Sequence, residues 1–90
     1  MEISLNRQVK YFFMNFFERN EINWLSWQIH KFESVENDGK LIVTVTLGRP
    51  GLLIGKGGCM IDRIQNELTE FFEKPTKIQI QEYDIFYSND

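Results

Sequence analysis

The residues best suited to chemistry fall in one run, Arg49-Pro50-Gly51-Leu52-Leu53-Ile54-Gly55-Lys56-Gly57-Gly58-Cys59-Met60-Ile61-Asp62-Arg63-Ile64. Gly55 and Gly58 enclose Lys56 and Gly57 in a G-x-x-G spacing. Glycines so placed let two helix ends approach closely, and they leave backbone N–H groups uncovered by β-carbons. A helix starting at about Cys59 would aim its unpaired N–H groups and the positive end of its dipole at the same point. Lys56 adds a mobile ammonium, and Arg49 and Arg63 flank the loop. Such a constellation suits the phosphate oxygens of a sugar-phosphate strand.

Other phosphate motifs fit poorly. A P-loop requires G-x-x-x-x-G-K-[ST], but only three residues separate Gly51 from Gly55, and Gly57 stands where the hydroxyl belongs. The dinucleotide fingerprint G-x-G-x-x-G fails at Met60. His30 has no serine or cysteine partner nearby in sequence, and Cys59 lacks an accompanying histidine or acid. No catalytic set emerges, and no enzyme activity is expected. Trp24, Trp27 and the Phe-rich N-terminal segment are assigned to packing or self-association, because aromatics at regular spacing are core far more often than a stacking platform.

The elements that must position the loop follow from periodicity. Leu5, Val9, Phe12, Phe13, Phe16 and Phe17 form an apolar stripe over Ser4 to about Arg19, with Ser4 as the N-cap. Asn20 to Asn23 interrupts it. A first strand is expected over Trp27 to Glu36, and Asp38-Gly39 predicts a tight hairpin into Leu41 to Leu47. There the odd positions are all apolar and the even ones are Ile, Thr and Thr. Pro50 opens a short helical turn through Ile54, a helix spans Cys59 to Glu73, and Lys74-Pro75 stops it. Lys77 to Gln81 alternates as a last strand, which Tyr83 to Asp90 extends briefly.

Ninety residues, 42% hydrophobic and 14% aromatic, are enough for one core without staples, so one domain is expected over 1–90 with its core at about 4–83. A single cysteine and a single histidine make neither a disulfide nor a metal site, so no metal or cofactor is expected. The N-terminus lacks the pattern of a signal peptide and no apolar run reaches a membrane span, which together with cysteine usage points to a cytoplasmic protein that engages no membrane. The net charge of −3 runs against a surface that grips phosphates everywhere. A local basic site on an acidic body remains compatible with it.

The Ile-Gly-Lys-Gly-Gly core, followed by apolar residues at Ile61 and Ile64, resembles the signature of the KH family. The element order, with the Arg-Pro-Gly lead-in, is similar to the type II form carried by ribosomal and ribosome-assembly members. The resemblance covers about residues 4–83 by order and Arg49 to Ile64 by motif. It implies an α+β fold, α-β-β-α-α-β, with a three-stranded mixed sheet packed by helices on one face. It also implies a loop that clamps about four unpaired nucleotides. By the same resemblance Gly55, Lys56, Gly57, Gly58, Arg49 and Arg63 meet the backbone, Ile54, Ile61 and Ile64 line the apolar floor of the groove or join the core, and Thr44 and Thr46, or the backbone beside them, reach base edges. The far wall would be the middle strand with its hairpin. Single-stranded RNA is the expected partner and single-stranded DNA the second candidate. Gly57, at a position where the family often carries a polar or basic residue, lowers the local charge, so weak to moderate affinity is expected. The rival reading is a KH-shaped protein-interaction or assembly domain, whose acidic exterior and aromatics serve a protein partner or a homo-oligomer.

Overall fold

Residues 4–83 are described in the structure, a computed structural model. Helix α1, Leu5–Arg19, starts where the Ser4 hydroxyl oxygen accepts the Arg7 N–H at 3.2 Å. That bond satisfies one of the free donors of the first turn. Val9, Phe12, Phe13, Phe16 and Phe17 are all buried along one stripe. The helix ends at Asn20, whose side-chain amide donates to the Phe16 carbonyl at 2.8 Å.

The expected start of the first strand is corrected by the structure. Trp24–Trp27 form a 3-10 turn, capped by Asn23, whose side-chain oxygen accepts the Leu25 N–H at 3.0 Å. Gln28 then adopts a left-handed conformation, φ 56° and ψ 49°, and redirects the chain into strand β1, Ile29–Asn37. Tryptophan favours strands mainly through packing on a half-buried surface, so a local cap can override it.

Strand β2, Lys40–Leu47, returns antiparallel to β1 in register Asn37 to Lys40. Asp38 and Gly39 both take positive φ, 54° and 75°, the conformation a two-residue hairpin of matching twist requires. Leu41, Val43, Val45 and Leu47 are essentially inaccessible on the face that the helices cover. Burying each such side chain stabilises the fold by roughly 1.5–3 kcal/mol. Phe13 of α1 stacks on Phe32 of β1 at 4.7 Å, and Phe17 meets Trp27 edge-on at 4.9 Å.

Helix α2, Pro50–Ile54, and helix α3, Cys59–Phe72, connect β2 to strand β3, Thr76–Glu82. β3 runs parallel to β2 from Leu41–Thr76 to Leu47–Glu82, and the sheet order is β1-β2-β3. Ile64 and Leu68 anchor α3 in the core. The same helix closes the free edge of β3: the Gln65 side-chain oxygen accepts the Ile78 N–H at 2.8 Å, and the Thr69 hydroxyl accepts the Thr76 N–H at 3.2 Å. Tyr83 adds one further bond, donating its N–H to the Leu47 carbonyl at 2.8 Å. The rest of the expected extension, residues 84–90, lies outside the described residues.

Candidate nucleic-acid interface

Arg49 is the N-cap of α2, and Pro50 occupies the first turn, where its missing N–H costs nothing. The Arg49 N–H donates to the Trp27 carbonyl at 3.2 Å and its own carbonyl accepts the Leu52 N–H at 3.1 Å, which fixes the start of α2 beside the 3-10 turn. Leu53 is buried and holds the short helix on the core. Ile54 remains 39% exposed at its end.

The chain then turns at Gly55, φ 76° and ψ 174°, a conformation open essentially to glycine alone. A β-carbon there would lie 2.6 Å from Met60 Cβ and 2.9 Å from Met60 N. The absence of that carbon is what lets the end of α2 touch the first turn of α3. Lys56–Gly58 form one 3-10 turn, closed by the Gly58 N–H on the Gly55 carbonyl at 3.2 Å. Gly57 and Gly58 also take positive φ, 65° and 81°, yet a β-carbon at either would meet nothing within 4 Å. These two glycines therefore serve the backbone conformation and leave the surface open.

Gly58 is the N-cap of α3 and no side chain caps that helix. The Cys59 N–H donates to the Lys56 carbonyl, the first turn of α3 has no capping side chain, and the helix dipole places partial positive charge there. Lys56 and Arg49 are exposed, and among the described residues neither enters an ion pair. Asp62, in the first turn of α3, opposes part of that positive potential.

Not every residue singled out from sequence gathers here. Arg63 is drawn to α1: its guanidinium donates to the Asn20 side-chain oxygen at 2.8 Å and to Glu67 at 3.3 Å, and it lies over the Phe16 ring at 5.3 Å. Arg19 binds the same Glu67 at 3.0 Å, so Arg63 belongs to a network that fastens α1 to α3. Ile61 is partly buried against the core, and Ile64 is wholly core. Thr44 and Thr46 alternate with the core residues of β2 and so project from the opposite face of the sheet, away from α2 and α3. Thr44 donates to Gln79 at 3.4 Å, and the Thr46 hydroxyl is buried without a partner among the described residues.

The expected far wall also needs correction. The hairpin stands at the end of the sheet where α3 finishes, as the Leu41 N–H on the Pro75 carbonyl at 2.8 Å and the Lys74–Glu36 pair at 2.9 Å show. The glycine loop stands at the other end, where α3 begins. With β2 central, the strand against which α2 and α3 pack is the edge strand β3.

Sequence reasoning passed over a second basic surface. Arg7 and Lys10 of α1 line a groove against β1 together with Trp24, and Lys31 and His30 border it from the strand. Arg7 and Lys10 stand far from Trp24 in sequence, and only the packing of α1 against the sheet and the 3-10 turn brings them together. The half-exposed Trp24 gave no local signal that separates it from the buried Trp27.

Among the described residues no helix is long and apolar enough to cross a membrane, and no cluster of three or more His, Cys, Asp or Glu could hold a metal ion. Comparison with known proteins brings in the small ribosomal subunit protein uS3. The version from Flavobacterium johnsoniae is 43% identical over 49 residues, covering 53% of this chain and 19% of that protein. Those from Karelsulcia muelleri and Syntrophomonas wolfei are 44% identical over 46 residues and 35% over 54, covering 51% and 60% of this chain. The matched regions make up 20% and 24% of those two proteins, so the chain corresponds to a minor part of each relative. A family model described as KH domain matches residues 9–85, and with the α-β-β-α-α-β order and mixed sheet this establishes that the chain belongs to the KH-domain family, in its type II form.

Proposed function

We propose that the chain, acting as one KH domain over residues 1–90, binds single-stranded nucleic acid, RNA in the first place, through the loop Gly55 to Gly58. The observation that carries this reading is the run of positive-φ glycines at 55, 57 and 58, which opens onto the uncapped start of α3. Backbone N–H groups in such a turn, beside a helix N-terminus, attract phosphate oxygens. Lys56 supplies a full charge, and Arg49 stands at the other end of α2. Ile54 presents an apolar side chain to an unstacked base, and Ile61, partly covered, contributes less. KH loops act on the backbone of about four nucleotides, which favours a single strand over a duplex. The ribosomal relatives are consistent with RNA as the partner and with action in the cytoplasm. No catalysis is part of this role.

The test is a fluorescence-anisotropy titration with mixed RNA and DNA oligonucleotides at low salt, using the double variant Lys56→Asp with Gly57→Asp. Gly57 sits in open space and near the left-handed region that aspartate tolerates, so the variant should keep the fold. Loss of binding with an unchanged circular-dichroism spectrum is expected. Unchanged affinity would remove the loop from the site.

A second reading, a protein-interaction or assembly domain, draws on Phe71, 53% exposed on α3, and on the net charge of −3. An interface of that kind would hold its affinity as salt rises, whereas phosphate binding weakens steeply.

A further inference from the structure

The groove between α1 and β1 reverses the charge of the chain. The sequence holds 13 acidic and 10 basic residues, yet the groove's described lining includes Arg7, Lys10 and Lys31 and no carboxylate. Among the described residues Arg7 and Lys10 make no ion pair; Lys31 borders the groove, but it stands opposite Thr46 across the sheet and its ammonium lies 3.8 Å from Glu33 on the face away from α1. The cleft measures about 710 Å³, within the range of pockets that enclose a small organic group.

Its remaining wall is aromatic. Trp24 is 42% exposed, on a turn capped by Asn23, and an indole has only two side-chain torsions to order on binding. His30 stands at the rim, but its ring is stacked on Tyr83 across the sheet, centroids 4.5 Å apart and planes within 4°, so Trp24 is the exposed ring of the groove. Cations interleaved with flat rings are what an unpaired strand requires, phosphates meeting the former and bases stacking on the latter.

The groove is joined to the glycine loop. Trp27 and Gln28 accept the N–H groups of Arg49 and Gly48, which places the Trp24–Trp27 turn against the start of α2. Leu25, Leu52 and Ile54, all exposed, lie on the turn and helix that connect the two sites.

We propose that this groove is a second contact for the same single strand, engaging nucleotides beyond those at the loop through Arg7, Lys10 and the Trp24 ring. The proposal rests on the single-strand reading of the loop, and it extends the footprint from about four nucleotides to about twelve. An acidic peptide would satisfy the cations but leave the exposed Trp24 ring without a stacking partner.

The test compares oligonucleotides of about four and about twelve nucleotides on the intact chain carrying Arg7→Gln and Lys10→Gln together. The longer strand should bind this groove variant about tenfold more weakly and with a shallower salt slope, while the shorter one binds both proteins alike. In the wild type the longer strand alone should quench Trp24 fluorescence, and Trp24→Phe should abolish that change. Equal affinity of the groove variant for the longer strand overturns the groove and leaves the loop intact. Loss in the groove variant, with no effect of the Lys56→Asp and Gly57→Asp pair, keeps the groove and overturns the loop. Failure of either length to bind the wild type, or capture of an acidic peptide there instead, overturns the proposal.

Discussion

Two turns of this chain rely on glycine at positive φ, and they stand at opposite ends of the sheet. In the hairpin, Asp38 and Gly39 reverse β1 into β2, and a β-carbon on Gly39 would meet nothing within 4 Å. In the loop, Gly55 allows no β-carbon at all, because Met60 is already there. The hairpin joins two strands that hydrogen-bond to each other. The loop joins two helices, and the second begins with donors that no side chain takes up. Glycine conformation is common to both; a helix start without a side-chain cap, next to Lys56, distinguishes the loop.

The sharpest way to separate the turns is Gly55→Ala. Strain at positive φ costs about 1–2 kcal/mol and the contact with Met60 about 1–3 more. Thermal melting should therefore fall by more than 10 °C, on the order of 4–8 °C per kcal/mol for a domain of this size. A melting curve close to wild type would mean that α2 and α3 do not depend on that close approach. Next in size is the Lys56→Asp and Gly57→Asp pair, for which affinity for a short oligonucleotide should drop about a hundredfold as two carboxylates face the phosphates. Its melting temperature should move by only a few degrees.

Gly39→Ala should reverse that pattern. It should cost about 1 kcal/mol of stability through the strained φ alone, with affinity unchanged in the same titration. Weaker binding by this variant would bring the hairpin back toward the site. The smallest effect belongs to Arg63→Gln. Because its guanidinium is bound to Asn20 and Glu67, affinity should stay within about twofold, and stability should change by less than about 1 kcal/mol, as is usual for exposed pairs. A large loss of affinity would show that Arg63 leaves this network to meet the ligand.

Several parts of the fold were legible because their signals are local. The α1 stripe, the Ser4 cap, the Asp38-Gly39 hairpin and the alternation in β2 each depend on residues within a few positions of one another, and the structure keeps all of them. The first strand was misread at its start because Trp24–Trp27 have strand composition, while the deciding contact is the cap from Asn23. Thr44 and Thr46 were assigned to the right strand. Their face followed only from where the helices pack.

The amino-acid order by itself determined the sequence of elements, the glycine spacing and the presence of Lys56 between the glycines, because helix periodicity, turn conformation and side-chain charge are properties of short stretches. Tertiary packing alone decided which charges are available and where they gather. It tied Arg63 to α1, turned Thr44 and Thr46 away from the loop, and brought Arg7 and Lys10 beside Trp24. The physical reason is that a charge acts over a few ångströms of space, and distance along the chain says little about distance across a folded core.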